Sequence, residues 1–149
     1  MAEAGKSLEA MTQELVALLR EEGIEIKGAR LVAGFDSPPL IANDGFGSAR
    51  PRRPDVIGFD PAKRRIVFGV VRPDRASLDT EDALEEYNVF LDHNARAGTQ
   101  ASVLYVIMPE VLVSEFTSIM THYIHRDYWH RVIIVRGQIA SGAKSAPSQ

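Results

Sequence analysis

Cysteine is absent from this chain. Its absence excludes disulfide bonds, zinc sites built on thiolates, and catalysis by a thiol nucleophile. Disulfides belong mainly to oxidising compartments, so a chain without cysteine fits a cytoplasmic protein. We therefore predict a cytoplasmic location.

Long hydrophobic runs are also missing. No apolar stretch approaches the roughly 20 residues that a helix needs to cross a bilayer. The first residues carry Glu3 and Glu9 instead of the continuous apolar core of a secretory signal peptide. These absences predict a protein with no membrane partner. What remains is an ordinary globular composition, with 45% hydrophobic and 25% charged residues.

The length of 149 residues suits one domain, which can bury roughly two-thirds of its unfolded surface. We place this domain at residues 7–136. Flexible termini are expected at 1–6 and 141–149, because the residues from Ser141 onwards are small and polar.

Apolar periodicity and turn residues divide the domain into elements in the order α-β-β-β-α-β-α-β. Ser7 is a good N-cap for the first helix, and Gly23 ends it. A turn at Pro61 joins two β-rich runs into a hairpin. This order predicts an α/β fold with a mixed sheet flanked by helices. The predicted helices are 7–22, about 79–95 and about 110–125, and the strands are 24–26 with 31–33, 55–59, 66–71, 102–108 and 132–135.

Positive charge is concentrated in one part of the chain. Residues 49–75 contain eight Lys and Arg against three Asp, whereas the whole chain has a net charge of -3. A basic hairpin in an acidic body predicts either contact with a polyanion or a turn that only improves solubility. The residues that would bind nucleic acid are Arg53, Lys63, Arg64 and Arg65.

The hairpin also carries the most informative motif. It reads Arg53-Pro54-Asp55-Val56-Ile57-Gly58-Phe59-Asp60-Pro61, followed after a basic turn by Ile66-Val67-Phe68-Gly69-Val70-Val71-Arg72. This segment resembles the core motif of the PD-(D/E)xK nuclease superfamily. The resemblance implies a restriction-endonuclease-like αβββαβ core. It also implies that Asp55 matches the metal-binding Asp at the start of the second strand.

Two other motif positions depart from the family. The resemblance implies an acidic residue at 70 and Lys at 72, but these positions hold Val70 and Arg72. Valine has no lone pair for a cation. Arginine can clamp a phosphate, but its pKa above roughly 12 excludes proton transfer at neutral pH.

A migrated carboxylate is the route by which activity could survive. Glu81, Glu85 and Glu86 lie early in the next helix, and any one of them could hold Mg²⁺ together with Asp55. The catalytic set would then be Asp55, Arg72 and Glu85, and the metal set Asp55, Glu81 and Glu85. Glu14 or Glu21 in the first helix could occupy the extra acidic position of some family members. A separate histidine set, His122, His125 and His130, could bind zinc or simply lie at a helix end.

Three functions follow from these observations. The first is a degenerate, catalytically inactive nuclease-like domain that binds DNA, RNA or a protein partner. The second is an active Mg²⁺-dependent endonuclease that uses a migrated carboxylate. The third is a structural protein that forms a homo-oligomer and has no role with nucleic acid.

Overall fold

The computed structural model describes residues 2–42, 50–93 and 100–138 of the chain. The predicted flexible tail at 141–149 and the predicted end of the second helix near residue 95 lie outside these residues. The predicted order of elements is confirmed. The helices are α1 (Ala2–Glu21), α2 (Glu81–Leu91) and α3 (Val113–Tyr123), and the strands are β1 (Glu25–Ala29), β2 (Val56–Asp60), β3 (Arg65–Val71), β4 (Val103–Pro109) and β5 (Val132–Gly137).

The five strands form one mixed sheet in the order β1-β2-β3-β4-β5. The first three strands pair antiparallel, and of these β2 and β3 form a hairpin. β3, β4 and β5 pair in parallel, because α2 and then α3 carry the chain back between them. The prediction of an α/β fold with a mixed sheet flanked by helices is therefore confirmed.

Apolar residues on both faces of the sheet hold the helices. α1 covers one face, where its buried residues Met11, Leu15 and Leu19 pack on β2, β3 and β4. α2 and α3 cover the other face and contribute aromatic residues such as Phe90 and Phe116. β4 is covered on both sides, and Val103–Met108 are all buried, as its continuous apolar sequence predicted.

The local signals at helix ends were partly predictive. Gly23 ends α1 in the left-handed conformation, with φ of 85°, and the N–H groups of Gly23 and Ile24 bond back to Arg20 and Leu19. These two bonds form a Schellman cap. Ser7 is not the N-cap of α1, because the helix begins five residues earlier, at Ala2.

The prediction of strand at 31–33 is wrong. β1 ends at Ala29 and the chain turns at Arg30. Leu31 has φ of 62°, a left-handed conformation that no strand residue adopts. The sequence of apolar residues there was typical of a strand, but the backbone conformation ends the pairing.

The β2–β3 hairpin has two ends with different chemistry. Its turn at 61–64 is held by Asp60, whose carboxylate accepts the backbone N–H groups of Ala62 and Lys63. Asp55 and Arg72 lie at the opposite, open end. At about 3.4 Å per residue, the two ends are separated by roughly 17 Å.

Candidate functional site

Asp55 lies one residue before β2, and its side chain is largely buried. Its backbone N–H donates to the Gly69 carbonyl across the hairpin at 2.9 Å. One carboxylate oxygen accepts the backbone N–H of Val71 at 2.8 Å, and the other accepts the Arg30 guanidinium at 2.7 Å. Both oxygens of Asp55 are thus engaged by the protein itself, and one of them satisfies a buried backbone donor.

Residue 70 lies near the open end of the hairpin, where Asp55 is. The paired register of β2 and β3 ends at Val56 and Gly69, one residue short of Asp55 and Val70. If the register continued by one residue, a carboxylate at 70 would face Asp55 at about 5 Å between Cβ atoms and could share an ion with it. Val70 is instead 1% exposed and belongs to the core cluster beneath α2 and α3. It contributes packing where the family motif has a metal ligand.

Arg72 follows β3 and is also buried. Its Nε donates to the Tyr87 hydroxyl at 2.9 Å, and another guanidinium nitrogen donates to Glu86 at 2.7 Å. The guanidinium also lies over the Tyr87 ring, 5.0 Å from its centre. Burial alone would lower the pKa of Arg72, but Tyr87 and Glu86 keep that pKa above its ordinary value. Arg72 therefore stays charged, and its contacts with Tyr87 and Glu86 connect the end of β3 to α2.

Asp55 and Arg72 line one cavity of about 240 Å³, with Arg30, Arg53 and Glu86 also on its wall. Each of its two carboxylates already bonds to one of its three guanidinium groups. A divalent cation in this cavity would meet an excess of positive charge and would have to displace Arg30 from Asp55. The residues present therefore do not fit a Mg²⁺ site.

Two of the three predicted migrated ligands lie elsewhere. Glu85 forms an ion pair with the buried Arg52, and Glu81 is exposed in the first turn of α2. Neither residue lines the cavity beside Asp55. The α2 carboxylate that does reach it is Glu86, because one step along a helix turns a side chain by about 100°.

The other acidic and histidine candidates are also separate from Asp55. Glu14 and Glu21 line a groove between α1 and β5. His122 Nδ1 lies 2.8 Å from the Ser118 carbonyl, and His125 Nδ1 accepts the Asp127 N–H. Within residues 2–42, 50–93 and 100–138, no group of three or more His, Asp or Glu side chains could hold a metal ion.

The turn end of the hairpin opens onto a larger pocket, of about 530 Å³. Its wall includes three of the four residues predicted to bind nucleic acid, and it adds basic residues from the segment before β5. Arg53, the fourth predicted residue, lies at the Asp55 end instead. The polar residues of this turn pocket are Lys63, Arg64, Arg65, Gln100, His130 and Arg131.

Among the residues of the turn pocket, Arg131 is held in place by hydrogen bonds and by a ring contact. It donates to the carbonyls of Ser102 and Leu91, at 2.6 and 2.9 Å, and its guanidinium stacks 4.8 Å from the centre of the Tyr128 ring. Burial lowers the pKa of Arg131, and the nearby positive charge of Arg65 lowers it further. Tyr128 and Asp92 act on this pKa in the opposite direction.

Sequence reasoning named Glu86 as one of three candidate carboxylates, but it did not find Arg30, Tyr87 or Arg131 as site residues. Arg30 and Arg131 come from connections far from the hairpin in sequence, and no local pattern points to them. Tyr87 could have been found by extending the helical spacing of α2 from Ala83, since residues three and four apart lie on one face.

Comparisons with protein-family models, with curated proteins and with solved structures give no match. Among the described residues, no helix is long and apolar enough to span a membrane. The cytoplasmic location and membership of the nuclease superfamily stay predictions. The geometry of the two hairpin ends is what bears on function.

Proposed function

We propose that this chain is a nuclease-like domain with a degenerate, catalytically silent site that binds nucleic acid at the turn end of its β2–β3 hairpin. The motif of residues 53–72 and the order of helices and strands support a restriction-endonuclease-like core. The substitutions at 70 and 72 support the loss of catalysis. The observation that carries binding is the convergence of basic side chains on the turn pocket.

Loss of catalysis rests on how the groups at the Asp55 end are used. Metal-dependent hydrolysis of a phosphodiester needs carboxylates that are free to bind the cation. Asp55 is bound by Arg30 and by the Val71 N–H, and Glu86 is bound by Arg72. The alternative of an active Mg²⁺-dependent nuclease would require both ion pairs to open.

The proposal of binding rests on the exposure of basic side chains at the turn pocket. Lys63 and Arg64 are exposed, and Arg65 and Arg131 stand partly exposed behind them. Asp60, the nearest acidic residue in the turn, uses one carboxylate oxygen for the backbone N–H groups of the turn, and its other oxygen lies 3.9 Å from Arg65 Nε. The pocket is of a size that takes a small ligand group. Its positive wall suits the phosphates of DNA or RNA, because guanidinium and ammonium groups recognise phosphate oxygens.

Fluorescence anisotropy with labelled single-stranded and duplex oligonucleotides tests this proposal. The wild-type affinity should fall with rising salt, with a slope of roughly −0.7 to −0.9 for each phosphate contacted. The double variant Lys63→Glu with Arg64→Glu should bind at least about tenfold more weakly, since it reverses two charges at the pocket.

The matched control places the same change of charge at the other end of the hairpin. Arg53→Glu with Arg75→Glu reverses two exposed basic residues there. It should leave affinity within about threefold of wild type, since it alters only distant electrostatics. Equal losses in both double variants would place binding elsewhere. A wild-type chain that binds none of the oligonucleotides at low salt would refute the proposal.

A further inference from the structure

The two edges of the sheet are built differently. The β1 edge is interrupted by a bulge between Ile26 and Gly28 and covered beyond it. The Ala29 N–H donates outwards to the Asp36 carbonyl at 2.9 Å, and a Cβ on Gly28 would lie only 3.2 Å from the Cα of Pro38. A bulge and a covering segment are common devices that prevent another strand from pairing with an edge.

The β5 edge has neither device in the described part of the chain. Along Val132–Val135, β4 supplies the strand partner on one side. No described segment pairs with the opposite side. An edge of this kind presents a row of backbone N–H and C=O groups at the spacing of a β-strand, so the occupant that fits it is another extended strand.

The side chains of β5 are also incompletely covered. Val132, Ile133, Ile134 and Val135 are all β-branched and all partly exposed, whereas the β4 residues beside them are buried. Two of the four pack towards α2 and α3, and the other two pack towards α1. Both faces of the edge therefore carry apolar surface that one more strand would bury.

A groove runs beside β5 on the face covered by α1. It has a volume of about 310 Å³ and is lined by Ala17, Leu18 and Val135, with Glu14, Glu21 and Arg136 also on its wall. The groove leaves space for side chains that extend from a neighbouring strand. It lies on the same side of the sheet as two of the partly exposed β5 residues.

We propose that β5 pairs antiparallel with β5 of a second copy of this chain, so that the two sheets become one. The second copy is the fitting occupant because it brings a strand with the same apolar, β-branched side chains on both faces. Pairing of β5 with β1 is excluded by the bulge and the covering segment at β1. The assembly is therefore a closed two-fold dimer and not a growing fibre.

The two-fold axis of such a dimer is perpendicular to the sheet. Rotation about it keeps each face of the sheet on its own side, so the α1 helices of the two copies lie on one side of the joint sheet. With strands about 4.8 Å apart, the two β5 strands are neighbours and the two β1 strands are separated by about 43 Å. This inference does not depend on binding of nucleic acid.

Spin-label distances test the arrangement directly, because the chain has no cysteine and one introduced cysteine takes the only label. Labels at Arg136→Cys, on β5, should give an intermolecular distance of roughly 20 Å or less, and labels at Lys27→Cys, on β1, one of about 40 Å. Both positions are exposed. Equal distances at the two positions, or a shorter distance at β1, would overturn the proposal.

Analytical ultracentrifugation of matched edge variants tests the same proposal without labels. Ile133 and Ile26 are partly exposed isoleucines on opposite edges, and both pack towards the α1 cluster. Ile133→Lys should sediment as a folded monomer, and Ile26→Lys should remain a dimer, with circular dichroism confirming that both fold. A wild-type chain that sediments as a monomer up to submillimolar concentration would refute the proposal.

Discussion

The two ends of the β2–β3 hairpin differ in what their charges do. At the Asp55 end, each carboxylate of the cavity bonds to an arginine, and the buried Arg72 ties β3 to α2. At the turn end, basic side chains from two segments converge on an open pocket. In a nuclease of the family that the motif resembles, the first end would be the reactive one. Here the charges of that end are used in contacts within the fold, and the proposed ligand site is at the turn end.

The largest effect is expected from restoring the missing carboxylate. Val70→Glu should lower the free energy of unfolding by about 3–5 kcal/mol, since a charge in the core is left without a partner. If residue 70 faces Asp55 as a lost metal ligand, Mn²⁺ should recover part of this loss, by up to about 2.7 kcal/mol at a hundred times Kd. Thermal unfolding with and without Mn²⁺ measures both changes.

Val106→Glu is the control for this restoration. Val106 pairs with Val70 across β3 and β4 and lies in the same core cluster, but on the strand away from Asp55. The Val106→Glu variant should be destabilised to a similar extent, and Mn²⁺ should not restore its stability. Equal rescue of both variants would mean that the register at Asp55 does not define a metal position.

The next largest effect concerns Asp55 itself. Asp55→Ala should lower the free energy of unfolding by about 2–3 kcal/mol, because the buried Val71 N–H loses its acceptor. Asp55→Asn keeps an acceptor and should cost less. Arg30→Ala should cost about 1 kcal/mol or less, since the Arg30 side chain is 45% exposed. Urea denaturation of the three variants measures the order of these losses in stability. A gain in stability from Asp55→Ala would instead mark Asp55 as a functional residue retained at the expense of stability.

The smallest effect is a loss of stability at alkaline pH. Burial raises the pKa of Tyr105 above its ordinary value of 10.0, and the hydrogen bond that Tyr105 donates to Glu22 raises it further. The resulting stability is fully present below pH 10 and is lost as pH rises from there towards the pKa of the folded state. At pH 11 the wild type should have lost about 1 kcal/mol more than Tyr105→Phe.

Urea denaturation at several pH values measures this difference. Tyr123→Phe, at a tyrosine that is 56% exposed, serves as the control and should follow the wild-type curve. Tyr105 lies on β4, and the charges of Arg65 and Asp60 at the turn end affect its pKa less than burial and Glu22 do. A Tyr105→Phe curve that coincides with the wild type would show that the Glu22 bond contributes nothing.

Much of the fold could be predicted because its elements carry their own signals. α1 repeats apolar residues at helical spacing and ends at Gly23, and β4 is continuously apolar. Thr80 caps α2 by accepting the Ala83 N–H, one residue from the predicted start of the helix near residue 79. Conformation at single residues was not predictable in this way. The apolar pattern of the sequence does not indicate the left-handed backbone conformation at Leu31.

Prediction of the site was limited by contacts between distant segments. The motif placed Asp55 and Arg72 together, and one cavity joins them. It did not reveal that Arg30, from the β1–β2 connection, would form an ion pair with Asp55. It could not distinguish Glu85 from Glu86, because adjacent helix positions point about 100° apart and the orientation of α2 on the sheet fixes which one lines the cavity. Arg131 reaches the turn pocket through tertiary packing alone.

The order of strands in the sheet is also their order in the chain. Each strand that emerges during synthesis can therefore pair with the one made just before it, and no earlier strand has to open to admit a later one. The antiparallel strands come first, and β2 and β3 pair through local contacts across a short turn, which favours rapid early pairing. β5 is completed last, so the edge that it leaves open exists only once the rest of the sheet is in place.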